Sequence, residues 1–173
     1  VNVRPQLLAS GYAVTRCHGD GVNLIPSINS PGNGGPYTYN WTGGSTAPQI
    51  NVIANYPTNP NTYTVNINDG CTSPGATAVF TVNVNPLPSG SFTADVLKGC
   101  APLTVNFTGQ SNGGTDVFTW NMSGGTGSTE NGNPKAWLFS NAGVYSVTLQ
   151  ITNPTTGCTK DTVASNYIEV YPV

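Results

Sequence analysis

The stretch Val82-Asn83-Val84-Asn85-Pro86-Leu87-Pro88 decides the fold, because its pattern occurs three times in the chain. Val1-Asn2-Val3-Arg4-Pro5 stands at the beginning, and Ile168-Glu169-Val170-Tyr171-Pro172 stands near the end. Apolar and polar residues alternate in each copy, so that one face of a β-strand would be buried. Proline then ends the strand because it has no N–H to donate to a sheet. We interpret each copy as the last strand of a domain.

The spacing of these copies sets the domain organisation. They begin at residues 1, 82 and 168, so one module takes roughly 80 to 90 residues, which is a common domain size. We expect residues 1–9 to be the last strand or linker of a preceding module, residues 10–86 to form one domain, and residues 87–173 to form a second. The chain would then be a segment of a longer array.

Strands dominate the rest of the pattern. Glycine and proline interrupt the chain about every ten residues and helical periodicity is absent, which is typical of an all-β protein. A sheet with one apolar face needs a second sheet to cover it. Both halves carry cysteine, tryptophan, tyrosine and cysteine in the same order. The sequence therefore predicts two β-sandwiches in tandem, with the core residues Trp41, Tyr63, Trp120 and Tyr145.

The four cysteines, Cys17, Cys71, Cys100 and Cys158, favour an oxidising compartment and disulfide bonds. Three pairings are possible. Pairing Cys17 with Cys71 and Cys100 with Cys158 places one bridge of similar loop length inside each module, and we favour this scheme. The core tyrosine of each module lies far ahead of the second cysteine, so we expect each bridge to join loops at one end of its sandwich.

The composition argues against two classes of partner. The net charge is -2 and charged residues are 7% of the chain, against about 25% in average proteins. A chain without a basic patch binds nucleic acid and anionic membranes poorly. No apolar run approaches the ~18 residues that a spanning helix needs, so we expect no membrane insertion.

Catalytic residues are not evident. His18 is the only histidine, and oxidation of the adjacent Cys17 would remove the thiolate that a Cys–His pair requires. The acidic residues are scattered, and no insertion is long enough to form a cleft, so we expect no enzyme. We also expect no cofactor. If calcium binds, Asp69 and Asp116 are the candidate ligands, although no D-x-D-x-D-G pattern surrounds them.

Three motifs of the second half match a known family: Gly99-Cys100-Ala101-Pro102-Leu103-Thr104-Val105-Asn106-Phe107, Trp120-Asn121-Met122-Ser123-Gly124-Gly125 and Asn141-Ala142-Gly143-Val144-Tyr145-Ser146-Val147-Thr148-Leu149. Through them, residues 89–173 resemble the polycystic kidney disease (PKD) domain. That family usually has W-D-F-G-D-G where this chain has W-N-M-S-G-G, so both acidic positions are missing. Some PKD domains bind calcium, and this loss argues against calcium here.

The first half carries Cys17-His18-Gly19-Asp20-Gly21, Gly34-Gly35-Pro36-Tyr37-Thr38-Tyr39-Asn40-Trp41 and Asn61-Thr62-Tyr63-Thr64-Val65-Asn66-Ile67-Asn68-Asp69-Gly70-Cys71. Through these residues, 10–86 resemble the SprB-type repeat of gliding and surface adhesins from Bacteroidota. The two resemblances imply tandem Ig-like and PKD-like sandwiches in a long protein, exported to the cell surface by the type IX secretion route.

Two further residues are candidates for surface roles. Trp137 lies in Lys135-Ala136-Trp137-Leu138-Phe139, where the chain departs from the PKD pattern, and it could meet a partner at the surface. Asp161-Thr162-Val163 resembles the O-glycosylation acceptor of Bacteroidota, which makes Thr162 a candidate for modification.

We therefore expect a non-enzymatic stalk or spacer segment of an extracellular, cell-surface adhesin or filament. Its partners would be neighbouring repeats of the same polypeptide, and surface glycans or other cell-surface proteins. Two alternatives remain open. The chain could be an accessory module of a secreted polysaccharide- or protein-degrading enzyme. It could also be a self-assembling fibre subunit, in which residues 1–5 pair with another chain by β-augmentation.

Overall fold

Apolar and polar side chains alternate along both halves of the chain, so each half forms β-strands in which every second residue is buried. The computed structural model describes residues 5–58, 60–70, 75–122 and 130–173, except for the side chain of Glu130. The chain divides into two compact units, Val1–Pro86 and Leu87–Val173. Each unit has its own hydrophobic core.

The described part of the first unit contains strands that pair into three sheets. In chain order they are β1 Leu7–Ser10, β2 Ala13–Cys17, β3 Gly21–Leu24, β4 Ser27–Pro31, β5 Thr38–Trp41, β6 Ile50–Ile53, β7 Asn61–Asn68 and β8 Ala76–Asn85. One sheet has the order β2-β8-β7-β5, while β1 pairs with β4 and β3 pairs with β6. Their apolar faces enclose a core that includes Trp41, Ile67 and Phe80.

The second unit is built from two larger sheets. Its strands are β9 Gly90–Ala94, β10 Lys98–Cys100, β11 Leu103–Ser111, β12 Val117–Met122, β13 Glu130–Asn131, β14 Lys135–Phe139, β15 Gly143–Thr152 and β16 Thr159–Tyr171. The orders are β10-β16-β15-β12-β13 and β14-β11-β9. Trp120, Phe107 and Leu149 are fully buried between them.

Each unit also contains a short strand that runs parallel to its last strand. β2 pairs with the end of β8, from Ala13 opposite Thr81 to Cys17 opposite Asn85. β10 pairs with the end of β16 in the same way, so that Cys100 lies opposite Tyr171. The other pairs in both units are antiparallel. The two units therefore share one plan at the point where the last strand ends.

Polar groups of the core aromatic residues are paired with backbone carbonyls. The indole Nε1 of Trp41 donates to the Ala47 oxygen at 2.8 Å, and that of Trp120 donates to the Gly132 oxygen at 2.7 Å. The Tyr145 hydroxyl donates to the Asn141 oxygen at 2.8 Å, the arrangement known as a tyrosine corner in Ig-like sandwiches. These bonds let large side chains be buried without an unpaired donor.

The prediction of an all-β protein made of β-sandwiches is confirmed. The assignment of residues 1–9 to a preceding module is wrong for Leu7 to Ala9. These residues belong to β1, which pairs with β4, and the Leu7 side chain is 3% exposed within the first core. Residues 1–4 lie outside the described part of the chain. Within that part, no helix is long and apolar enough to cross a membrane.

Candidate binding surface

The outer face of the larger sheet in the second unit forms an open polar groove. It has a volume of about 280 Å³ and is lined by Thr119, Asn121, Thr148, Gln150 and Asp161. These residues come from three neighbouring strands, β12, β15 and β16.

Strand alternation explains why polar side chains gather there. Trp120 and Leu149 point into the core and are fully buried, so their neighbours along each strand point outward. The register then sets these outward residues in rows, with Gln150 opposite both Thr119 on β12 and Asp161 on β16. A second row places Asn121 opposite Thr148.

Hydrogen bonds fix the orientation of the first row. The Gln150 Nε2 donates to Asp161 Oδ1 at 3.1 Å, and the Thr119 hydroxyl donates to Asn131 Oδ1 at 2.8 Å. Among the described residues, the Asn121 amide and the Thr148 hydroxyl have no such partner. The groove therefore presents amides, hydroxyls and one carboxylate, which can donate to and accept from a hydroxyl-rich ligand.

The same set of groups does not suit hydrolysis of a sugar. Glycosidases usually need two carboxyl groups flanking the bond that breaks. Asp161 is the one carboxylate among the described residues that line the groove. The geometry favours binding over bond cleavage.

The two calcium candidates lie in different units and in different surroundings. Asp69 is 6% exposed and accepts a hydrogen bond at 2.6 Å from the backbone N–H of Asn33. A Cβ at Gly32 would collide with its carboxylate. Asp69 thus fastens the loop after β4 to the end of β7, and this role explains its burial.

Asp116 precedes β12, and both its carboxylate oxygens are buried without a hydrogen-bond partner among the described residues. The carboxylate lies against Gly113, where a Cβ would be 2.6 Å from each oxygen. No group of three or more His, Cys, Asp or Glu residues that could hold a metal occurs in the described ranges. Calcium at Asp69 or Asp116 stays a prediction.

His18 and its neighbours form a structural turn after β2. The His18 Nδ1 accepts a hydrogen bond from the Tyr56 N–H at 3.1 Å. Asp20 Oδ2 accepts one from the Cys17 N–H at 3.0 Å. Because Cys17 is disulfide-bonded, the turn has no thiolate for His18 to activate.

The predicted cysteine pairing is wrong in the second unit. Cys100 is a free, exposed thiol, whereas Cys158 is disulfide-bonded. Cys100 lies opposite Tyr171 at the end of β16, and Cys158 directly precedes Thr159 at its start. A strand of 13 residues spans about 40 Å, far beyond the ~7 Å limit between Cα atoms of a disulfide.

The predicted partner of Cys17, Cys71, lies outside the described residues. Cys17 itself is disulfide-bonded, and its pairing with Cys71 stays a prediction. The expectation that each bridge joins loops at one end of its sandwich is wrong for the second unit, where Cys100 is free, and stays a prediction for the first.

Of the four aromatic residues predicted for the cores, three are buried and one is half-buried. Trp41 is 2% exposed, Trp120 is fully buried, and Tyr145 is 7% exposed. Tyr63 is half-buried and packs against the first core.

The structure does not leave Trp137 at the surface. Its side chain is 9% exposed and belongs to the second core, so the expected surface contact is wrong. In β14, Trp137 and Phe139 point inward while Leu138 points outward.

Thr162 is half-buried on β16. Its hydroxyl donates to the Gly90 oxygen at 3.3 Å, so a glycan on this oxygen would remove that bond. Glycosylation of Thr162 stays a prediction.

The groove residues were not singled out from the sequence. The period-two pattern predicts that Thr119, Thr148 and Gln150 point outward, but it does not say which outward residues become neighbours. That depends on the register of β15 with β12 and β16, which places Gln150 beside Thr119 and Asp161, and on the pairing of β13 with β12, which places Asn131 beside Thr119.

No family model matches the chain, and no curated protein matches it. Solved structures are similar to it at low identity. Extracellular domains 3–5 of Drosophila OTK have a TM-score of 0.43 and 14% identity, over 98% of this chain and 63% of that one. Murine CEACAM1b has a TM-score of 0.39 and 14% identity, over 94% of this chain and 100% of that one. Sidekick-1 immunoglobulin domains 1–5 have a TM-score of 0.41 and 11% identity, over 98% of this chain and 39% of that one. The fold class, all-β with β-sandwiches, follows from the strands and sheets of the chain itself.

Proposed function

We propose that the chain is a non-enzymatic, load-bearing spacer segment of a secreted cell-surface adhesin or filament. The observation that carries this proposal is the parallel pairing of a short early strand with the last strand in each unit. β2 and β8 share five residue pairs, from Ala13–Thr81 to Cys17–Asn85. β10 and β16 share three pairs, from Lys98–Glu169 to Cys100–Tyr171.

Parallel pairing decides how a pulling force reaches the unit. The start of β2 and the end of β8 lie at opposite ends of the paired segment, so tension on the two ends of the unit slides one strand along the other. Hydrogen bonds between strands run across the strand direction, slanted in a parallel pair. Tension therefore loads the whole set of bonds together instead of breaking them one at a time.

Flanking contacts extend both pairs. The His18 N–H donates to the Asn85 oxygen at 2.9 Å, and the Thr81 N–H donates to the Tyr12 oxygen at 3.0 Å. In the second unit, Lys98 and Glu169 form an ion pair at 2.7 Å across the paired strands. Exposed ion pairs contribute little to stability, so the backbone bonds carry most of the load.

The proposed function also includes an extracellular location and a role in adhesion. Disulfide-bonded Cys17 and Cys158 fit an oxidising compartment. The polar groove supports binding of a surface glycan, because hydroxyl-rich ligands need paired donors and acceptors. Four further proposals rest on the sequence resemblances. They are neighbouring repeats as partners, a role in gliding motility, export by type IX secretion, and membership of the PKD and SprB-type families.

An accessory module of a secreted hydrolase is the alternative that the groove also supports. The full reading frame separates the two, because a catalytic domain would favour the accessory role and further repeats would favour the spacer. The fibre-subunit alternative depends on residues 1–5, of which 1–4 lie outside the described part of the chain. Mass measurement across dilution tests it.

Proline substitution in β2 tests the load-bearing role. N–H groups alternate sides along a strand. The Arg16 N–H therefore points to β8, as that of His18 does. The Thr15 N–H points away from β8. So does the Cys17 N–H, which donates to Asp20 Oδ2. Force spectroscopy in reducing buffer should show a lower unfolding force for the first unit in Arg16→Pro, and little change in Thr15→Pro.

The two variants form a matched pair, since both place proline on the same exposed edge strand. Equal unfolding forces for Arg16→Pro and the unsubstituted chain would contradict the proposal. Equal losses in both variants would show that proline acts through general damage to the strand, and would also contradict it.

A glycan array tests the groove. Replacing Asp161 by Ala should weaken binding of any glycan that the chain retains by about tenfold or more, because a hydrogen bond to a charged group contributes about 1.5–3 kcal/mol. Gln150→Ala should weaken it by about two- to tenfold, because a neutral hydrogen bond contributes about 0.5–1.5 kcal/mol. Thr104→Ala, on the exposed face of the other sheet, is the control and should bind as the unsubstituted chain does. Binding that survives both groove substitutions would place the glycan site elsewhere.

A further inference from the structure

The pair Asn–Gly occurs three times in the chain, as Asn33-Gly34, Asn112-Gly113 and Asn131-Gly132. In such a pair the backbone nitrogen of glycine can attack the Cγ of the asparagine, because glycine has no Cβ to shield that nitrogen. The attack closes a cyclic imide and releases ammonia. How readily it occurs depends on the groups that surround each pair in the folded chain.

The glycine N–H groups of the three pairs differ in their hydrogen bonds. The Gly34 N–H donates to the Pro31 oxygen at 2.9 Å, and the Gly132 N–H donates to the Phe118 oxygen at 3.2 Å. Among the described residues, the Gly113 N–H has no acceptor. The nitrogens of Gly34 and Gly132 are thus held by their acceptors, whereas that of Gly113 is free to turn towards its asparagine.

The Asn112 side chain is exposed but held in place by Ser89. Its Oδ1 accepts the Ser89 N–H at 3.0 Å, and its backbone N–H donates to the Ser89 oxygen at 3.0 Å. A donor on Oδ1 stabilises the negative charge that develops there when the Cγ is attacked. Asn131 also has such a donor, the Thr119 hydroxyl, so this feature alone does not distinguish Asn112.

Asp116 places a proton acceptor beside the Gly113 nitrogen. Both its carboxylate oxygens are buried without a hydrogen-bond partner among the described residues. A Cβ added to Gly113 would lie 2.6 Å from each oxygen, so the carboxylate lies against the Gly113 Cα, to which the nitrogen is bonded. Burying a carboxylate without a partner costs free energy, and a role as a base accounts for this placement.

We propose that Asn112-Gly113 is a self-modifying site, at which the folded chain converts Asn112 into aspartate and isoaspartate with Asp116 as general base. The Asp116 carboxylate takes the proton of the Gly113 nitrogen, which forms a bond to the Asn112 Cγ. The amide nitrogen of the side chain then leaves with that proton as ammonia. Water adds to either carbonyl of the cyclic imide and opens it. One water is consumed, one ammonia is released, and no electrons are transferred.

The modification changes how the second unit holds its first strand. Ser89 directly precedes β9, and Asn112 directly follows β11, so the two bonds between them fasten the start of one strand to the end of the other. Isoaspartate at position 112 adds a methylene to the backbone and moves the oxygen that accepts the Ser89 N–H from the side chain into the main chain. The start of β9 should therefore loosen as the product accumulates.

Mass spectrometry of peptides from the full chain, incubated at neutral pH, measures conversion at all three pairs in one sample. In the folded chain, Asn112 should convert at least about tenfold faster than Asn33 and Asn131, because a positioned general base accelerates proton transfer steps by about a hundredfold or more. In the chain unfolded by urea the three should convert at similar rates, because each is followed by glycine.

Asp116→Asn keeps the size of the side chain and removes the base. It should slow conversion of Asn112 by about tenfold or more and leave Asn33 and Asn131 unchanged. Asp161→Asn removes a carboxylate from the groove of the same unit, and it is the control that should leave all three rates unchanged.

The pH dependence of the unsubstituted chain provides a test that needs no variant. Between about pH 6 and pH 8, conversion of Asn112 should rise less steeply than that of Asn33 and Asn131, where hydroxide must take the proton. Equal rates at the three pairs in the folded chain would overturn the proposal. So would an Asn112 rate that Asp116→Asn does not lower, or equal slopes with pH.

Discussion

At the scale of single residues, the Asp95 carboxylate connects two segments of the second unit by hydrogen bonds. Its Oδ1 accepts the Asn106 backbone N–H at 2.8 Å, and its Oδ2 accepts the Asn106 side-chain amide at 2.6 Å. The side-chain bond from Asn106, followed by the backbone bond, lowers the pKa of Asp95 from its ordinary value of 3.8. The carboxylate fastens the chain after β9 to β11.

A lowered pKa in the folded state makes stability depend on pH. Because the unfolded chain binds the proton more readily, the contribution of Asp95 is present above pH 3.8 and is lost as the pH falls through the lower folded-state pKa. The urea midpoint of the second unit should therefore fall on acidification below about pH 4, and Asp95→Asn should reduce that fall.

Glu169 provides the comparison for this measurement. Its pKa is also lowered, chiefly by the hydrogen bond from Lys98, so Glu169→Gln should remove a separate part of the acid dependence. An acid dependence that is unchanged in Asp95→Asn would show that the Asn106 bonds do not stabilise the folded state.

The burial of a single residue can be predicted from the sequence, whereas its bonding partner often cannot. Alternation predicts that Trp120 points inward because its neighbours are polar, and the structure buries it fully. Cys100 could not be placed in this way. Its bonding depends on which strand end lies beside it, and that is set by pairing with Tyr171, far away in the sequence.

At the scale of elements, β14 shows how alternation decides between core and surface. Trp137 is 9% exposed, whereas the next residue, Leu138, is 56% exposed. Trp137→Ala should lower the free energy of unfolding by about 3–5 kcal/mol, because it removes a large buried side chain. Leu138→Ala on the same strand should change it by less than about 0.5 kcal/mol. Chemical denaturation measures both, and similar losses would contradict the placement of Trp137.

Two short elements, β2 and β10, were not predicted from the sequence. β2 and β10 contain five and three residues, too few for a clear period of two. Their parallel pairing arises only when β8 and β16 are in place. The long strands β7, β8, β11 and β15 alternate clearly over eight to ten residues, which is the pattern that predicts a strand.

At the scale of the whole molecule, the chain repeats one design. Both units have a core tryptophan bonded to a loop carbonyl, a short strand parallel to the last strand, and a cysteine as the last residue of that short strand. From its three similar strand endings the sequence predicts a repeated module, but it does not predict the short parallel strands. The groove belongs to the second unit, so we propose load-bearing for both modules and ligand binding for the second.

Pulling the unsubstituted chain from its two ends in reducing buffer tests the load-bearing claim most directly. We predict two separate unfolding steps, each releasing up to roughly 290 Å of chain, the extended length of one unit. The weaker step should come from the second unit, because its parallel pair has three residue pairs against five. A single step, or steady extension without resistance, would contradict two separate force-bearing sandwiches.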